Sequence, residues 1–344
     1  DVTLDGGKVT IDSGGKVTSS TVGNMPGGTV TIQAADSLTV AGKGLIGADT
    51  LGDGDAGQIR VVTPVLHLQR SDILTSTLAS GNGGSITVEA NQISLRDGAL
   101  ISSGRLTDGT GNAGGVTLQA TGLFSSQAST VSSEAKTGAG GNVSITAGNV
   151  QLADGTTILA KTTGSKNAGS ITLMSASDIQ VKNSTITTSA DQASGGNIKL
   201  TAPNAISLFN SQLTSSVQGQ VGSNGGNISI DPVAVSIQNS QLLANASAGA
   251  GGNINVVASG AVLVSPSSLL DASAGPAGVP GRININSPIQ VLGGTLVPLK
   301  VSYSQPALSG DRCAADPQGR FSSFVQTGRD GVPPLPGRAL AWYR

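Results

Sequence analysis

Cysteine, histidine, aromatic residues and charge are all scarce in this sequence. The single cysteine, Cys313, excludes an intrachain disulfide framework. The single histidine, His67, leaves no second imidazole to share a metal and no convincing Ser–His–Asp set. Charged residues make up 11% of the chain and the net charge is −1, so no basic footprint points to nucleic acid or an acidic membrane. No apolar run approaches the roughly 18 residues a membrane helix needs. No signal peptide is visible, so an exported form is expected to have lost its export signal or to carry it outside this chain. Aromatics are 2% while glycine contributes 50 residues, so the surface must consist largely of Thr, Ser, Asn, Gln and backbone. Such a composition could suggest disorder, but a regular aliphatic repeat argues against it, since disordered segments lack apolar surface to bury.

That repeat is what the chain does have. The form small–Gly–polar–aliphatic–x–aliphatic, as in Gly195-Gly196-Asn197-Ile198-Lys199-Leu200, occurs ten times. Glycine holds its second place in every copy: Gly28, Gly57, Gly84, Gly114, Gly141, Gly169, Gly196, Gly226, Gly252 and Gly281. The first aliphatics follow one another at 26 to 30 residues, from Val30 to Ile283. Counting back once more reaches Val2, so the first residues already belong to a unit. A period of this size with short variable insertions marks a repeat architecture, which also removes the two-domain expectation that length alone would give.

Each unit carries three short alternating runs, for example Ile171-Thr172-Leu173, Ile179-Gln180-Val181 and Ser184-Thr185-Ile186. Period-two alternation puts aliphatics on one face and Thr, Ser or Gln on the other. The units are too short for three strands plus a helix, and no stretch sustains a 3.6-residue pattern. The predicted fold is all-β: a right-handed parallel β-helix of about ten to eleven three-strand coils. The glycine row is expected at one turn of every coil, where φ > 0 or close backbone approach demands it. The next position (Thr29, Gln58, Ser85, Gly115, Asn142, Ser170, Asn197, Asn227, Asn253, Arg282) predicts side-chain ladders along the axis. Length varies in the loop before the glycine, as at Gly104–Ala113 and Gln218–Asn224.

The repeat predicts a β-helix over residues 1–298 and a separate cap, tail or docking arm over 299–344. The latter holds five of the seven aromatics, Tyr303, Phe321, Phe324, Trp342 and Tyr343, and carries +3 against −4 for the rod. Pro333-Pro334-Leu335-Pro336 reads as polyproline. Phe321, Phe324, Trp342 and Tyr343 are candidate assembly contacts, because such side chains dominate interfaces.

A polysaccharide-cleaving β-helix needs paired acids, or acids with Arg or Lys, on adjacent coils. The outward positions of the first strand (Thr31, Arg60, Thr87, Thr117, Ser144, Thr172, Lys199, Ser229, Asn255, Asn284) and of the second (Thr39, His67, Ser94, Gln151, Gln180, Ser207, Ser236, Gln290) contain no carboxylate. Asp97 and Asp154 share a turn but lie a whole coil apart, and Asp-Gly is what a turn needs anyway. Gly52-Asp53-Gly54-Asp55 could suggest calcium, yet a nonapeptide calcium repeat would recur, so a plain loop is preferred. No catalytic residue, metal site or cofactor is expected.

The Gly-Gly-Asn-Ile-x-Ile repeat, with Asp-Gly turns at Asp97-Gly98 and Asp154-Gly155, resembles the filamentous-haemagglutinin-like exoproteins of two-partner secretion, cyanobacterial type. Cys313, Ser322-Ser323-Phe324-Val325, Thr327-Gly328-Arg329 and Gly331-Val332-Pro333-Pro334 resemble the C-terminal signature of that group. The resemblance implies secretion through an outer-membrane transporter, then adhesion, aggregation or surface structure, and an extracellular or cell-surface location. It also implies that the chain is the processed C-terminal part of a larger precursor. The expected function is a structural or adhesive rod assembling end to end, with a cell-surface or glycan ligand. A glycan-binding or glycan-cleaving β-helix is the alternative, and a passive spacer a third reading.

Overall fold

In a computed structural model the chain divides into two compact units, Asp1–Val301 and Ser302–Arg344. The structure describes residues 1–105, 110–218, 223–276, 278–293 and 295–296. Cys313, Phe321, Phe324, Trp342 and Tyr343 therefore lie outside the described residues, with the rest of 299–344. So do parts of the loops at 104–113 and 218–224.

The described residues form a parallel β-solenoid without helix. First and second strands of each coil build one 18-stranded sheet, and third strands build an 11-stranded sheet. Each strand pairs with its counterpart one unit away, so aliphatic rows run unbroken along the axis. One such row reads Ile171, Ile198, Ile228, Ile254, Ile283. Another runs Leu66, Ile93, Phe124, Val150, Ile179. These side chains are almost completely buried except at the ends, each burial contributing about 1.5–3 kcal/mol before entropy is subtracted. Phe124 occupies one rung of the second row, whereas Phe209 faces outward.

The cross-section differs from three separate strands. In four coils the first two strands run on as one: Val2–Ile11, Val30–Ala41, Val116–Gln127 and Val143–Ala153. The corner there is a bend with a register shift, as between Gly6 and Lys8 or Ala120 and Leu123, rather than a turn. The third strand also departs from an aliphatic interior. Buried beside Ile73, Ile101, Val131 and Ile186 are Thr75, Ser103, Ser133 and Thr188.

The repeat glycines sit at the turn leading into each first strand, but with ordinary φ. A Cβ built on any of them from Gly57 to Gly281 would lie under 3.0 Å from the carbonyl oxygen of the glycine one coil earlier. Close backbone approach, not φ > 0, is what selects glycine. The hydroxyls on the third strand serve the same turn. Thr75 and Ser103 both donate to the Gly84 carbonyl, Ser133 to Gly114, and Thr188 and Ser215 to Gly196. They satisfy carbonyls that would otherwise be buried unpaired.

Positive φ appears at the opposite turn, between second and third strands. Ser13, Lys43, Arg70, Asp97, Ala128, Asp154, Asn183, Asn210 and Asn239 all have φ between 47° and 68°. At Asp97-Gly98 and Asp154-Gly155 both central residues have positive φ, and the turn closes through Ala99 N to Arg96 O at 3.2 Å and Thr156 N to Ala153 O at 3.1 Å. That is type I′ geometry. Ser13-Gly14 and Gly42-Lys43 close in the same way, through Gly15 N to Asp12 O (2.8 Å) and Gly44 N to Ala41 O (2.9 Å). At Arg70, Ala128, Asn183, Asn210 and Asn239 one left-handed residue is followed by a buried Ser whose hydroxyl donates back two residues, as in Ser211 to Phe209 O (2.8 Å) and Ser240 to Gln238 O (2.7 Å).

The last coil corrects one expectation. Alternation predicts Ile289 and Val291 inward and Gln290 outward. Instead Gln290 pairs with core residue Val262, and Val291 pairs with outward Leu263. Ile289 and Val291 are 61% and 54% exposed. The preceding corner is one residue shorter, Ser287-Pro288 replacing Ala258-Ser259-Gly260, and a one-residue slip turns every side chain to the other face.

Candidate functional site

Three surfaces are long enough to be recognised: two lines of polar side chains and one corner. The first line is the position after the repeat glycine. Ser170 N donates to Asn142 Oδ1 (2.8 Å), Asn227 N to Asn197 Oδ1 (2.9 Å), Asn253 N to Asn227 Oδ1 (2.9 Å) and Arg282 N to Asn253 Oδ1 (2.8 Å). From Asn142 to Arg282 the ladder expected from the sequence is present, and its polarity is uniform: each side-chain oxygen accepts from the backbone of the next coil.

The second line runs along the left-handed turn residues. Asn183 Nδ2 donates to Asp154 (3.0 Å), Asn210 to Asn183 (2.9 Å) and Asn239 to Asn210 (2.9 Å). Asn183, Ser184, Thr185, Asn210, Gln212 and Gln241 line a shallow polar groove beside it. Gln127 also donates to Asp154 (3.1 Å), and together with Asn183 it holds the Asp154 carboxyl below the usual range. Asp97 accepts from Gln69 Nε2 at 2.5 Å. Ala128 occupies the coil between these two acids. The structure thus places Asp97 and Asp154 on one row, each occupied by a neighbouring amide, and does not bring them together.

The Gly52–Asp55 segment is a ladder start as well. Asp53 Oδ1 accepts from Ser80 Oγ (2.6 Å) and N (3.2 Å), which lowers its pKa. Asp55 Oδ1 accepts from Asn82 N (2.7 Å) and Nδ2 (3.0 Å). Both carboxylates tie down the next coil. Among the described residues no three His, Cys, Asp or Glu side chains gather as metal ligands would. His67 is exposed, flanked in register by Thr39 and Ser94.

The corner between first and second strands was the surface least legible in the sequence. Reading one outward position on the first strand left out the second, which carries Asp5, Gln33, Val62, Glu89 and, farther along, Asp231. Two more residues of alternation would have found them. Glu89 forms a two-pronged pair with Arg60 of the preceding coil, at 2.7 and 3.2 Å, on the solvent face. Asp5 and Glu89 stand three coils apart, about 14 Å at the usual strand spacing, beyond the separation of a glycosidase acid pair. At the other end Pro203, Asp231, Pro232, Val257 and Pro288 line a shallow, partly apolar groove.

No helix among the described residues is long and apolar enough to cross a membrane. No family model, no curated protein and no solved structure matches the chain.

Proposed function

We propose that this chain is a non-catalytic structural and adhesive rod, exported to the cell surface or beyond, that associates end to end into filaments. The observation that carries the reading is the continuity of the solenoid. The first-strand core row keeps one register from Val2 to Ile283, coil upon coil along one axis. End-to-end association rests on this axial repetition and on the resemblance to the haemagglutinin-like exoproteins. An outward face dominated by hydroxyls and amides, with Asp53, Asp55, Asp97 and Asp154 engaged in ladders and Glu89 in a surface pair, supports recognition rather than hydrolysis. The partners proposed are a second copy of this chain and a cell-surface glycan. Export through an outer-membrane transporter rests on the resemblance to the haemagglutinin-like exoproteins.

Electron microscopy of the purified chain over a range of concentrations, with sedimentation velocity, tests the reading. Filaments or concentration-dependent oligomers of rod cross-section are expected. A chain that stays monomeric at high concentration and leaves cell surfaces and glycan arrays unbound overturns it. Release of oligosaccharides from a polysaccharide panel, lost in Asp97→Asn or Asp154→Asn, would overturn the non-catalytic part.

A further inference from the structure

Phe209 is the one solvent-facing aromatic among the described residues, since Phe124 is fully buried. It ends a second strand at the turn that carries the amide ladder, with Lys182 and Gln238 on its row one coil to either side. Asn210 of the ladder follows it, and Gln212 opens the third strand beyond. Gln212 belongs to a second amide line: its Nε2 donates to Gln241 Oε1 at 3.3 Å, and Thr185 shares the row. Three outward rows therefore run side by side around this turn, each with a rung about every 4.8 Å. The amide lines are not saturated. Asn183 and Asn210 each use one N–H and one lone pair of Oδ1 within their line, which leaves one donor and one acceptor apiece. Gln212 Oε1 and Gln241 Nε2 take no hydrogen bond from the described residues.

We infer that this turn is the binding site for a neutral polysaccharide chain lying along the rod axis, with Phe209 as its platform and the Asn183–Asn239 and Gln212–Gln241 lines as its hydrogen-bonding rails. The inference rests on the glycan partner proposed above and gives that partner a place. The lining chemistry selects the class. No residue of the groove is charged, and Lys182 and Asp154 offset each other at one end. A nucleic acid or an acidic glycan needs a row of cations. A peptide that binds by strand addition needs an open sheet edge, whereas these strands are paired on both sides. A pyranose presents a face of C–H bonds and a rim of hydroxyls. The face packs on an aromatic ring, and each hydroxyl can both give and take a hydrogen bond with an amide. Because the amides recur at every coil, successive sugars meet the same two rails, and a chain gains contacts that a single sugar lacks.

Affinity electrophoresis of the full chain tests the assignment, in gels holding hydroxyethylcellulose, galactomannan or soluble starch, with polygalacturonate as the acidic comparison. The parent should be retarded in at least one neutral gel and run freely in polygalacturonate. Phe209→Gln, which copies Gln238 of the next coil, should weaken retardation about fivefold, and so should Gln212→Ala combined with Gln241→Ala. Phe209→Tyr keeps the ring and should bind as the parent does. Met174→Ala, at an exposed position on a first strand, should also bind as the parent does. Urea midpoints equal to the parent's separate lost binding from lost folding, as expected for side chains that face solvent. Retardation that survives both the Phe209 and the glutamine changes would overturn the site while leaving a glycan partner standing. Retardation in polygalacturonate alone would overturn the neutral class. Free migration in every gel would overturn the site and the glycan partner together, while end-to-end association is judged separately by sedimentation.

Discussion

Gly114 and Gly115 are neighbours in the chain and have no positive φ, yet they should respond oppositely to a methyl group. A Cβ on Gly114 would meet the carbonyl oxygens of Gly84 and Gly83 and the Gly84 carbonyl carbon, all closer than 3.0 Å. These are backbone atoms, so no rotamer change relieves the clash. The coils must separate by more than about 1 Å to restore ordinary contact. Beside that point Ile86 N donates to Gly115 O at 2.9 Å and Gly83 N to Asn112 O at 2.8 Å. Lengthening each by about 1 Å takes them past the range of a hydrogen bond. Two lost bonds at about 1 kcal/mol each, with overpacking of about 1–3 kcal/mol, give roughly 3–5 kcal/mol for Gly114→Ala. A Cβ on Gly115 has only Asn142 O within reach, at 3.7 Å. Gly115→Ala should therefore be neutral or stabilise by about 0.4–1 kcal/mol, through the lower entropy of the unfolded chain. Urea unfolding followed by far-ultraviolet circular dichroism reads the difference as midpoints, which remain comparable if a repeat protein departs from two-state behaviour. Equal midpoints for the two variants would refute close backbone approach as the reason for the glycine row.

Two further outcomes follow from the polar groups. Asp72 stands on a third strand between Leu45 and Leu100 of the adjacent coils, and burial raises its pKa. For an acid shifted upward, ionisation costs the folded state. That cost is present above the folded pKa and disappears as pH falls toward the unfolded value of about 3.9. Asp72→Asn should accordingly be more stable than the parent at pH 7 and lose that advantage near pH 4, as thermal midpoints across pH would register; a constant difference would contradict the assignment. Ser211 is buried, donates to Phe209 O and accepts from Ser184 N at 3.2 Å. Ser211→Ala should cost about 1–3 kcal/mol in the same urea assay, because it leaves the Ser184 amide unpaired, and an unchanged midpoint would show that the hydroxyl row is dispensable.

The solenoid was legible because its signal is cumulative. One Ile-x-Ile run fits a strand or part of a helix, but ten runs behind ten glycines at nearly constant spacing fit stacked coils and little else. What alternation could not resolve was the reason for each polar or small residue. Glycine invites a left-handed explanation, yet here the left-handed position falls to Asn183, Asn210 and Asn239, and the glycine row answers to the coil below. Local sequence cannot separate these causes, since both require a missing Cβ or a tolerant side chain. The separating contact is about 28 residues away. The interior hydroxyls of Thr75, Ser103 and Ser133 were hidden for the same reason: as sequence they belong to the polar face of an alternating strand. Their acceptors are glycine carbonyls 9 to 19 residues distant. Gln290 shows the limit from the other side. Ile289-Gln290-Val291 alternates as well as any earlier strand, and a corner one residue shorter reverses its faces. In a solenoid, corner length and not strand pattern decides which side of each strand becomes surface. The outward face of this solenoid is therefore set mostly by its turns.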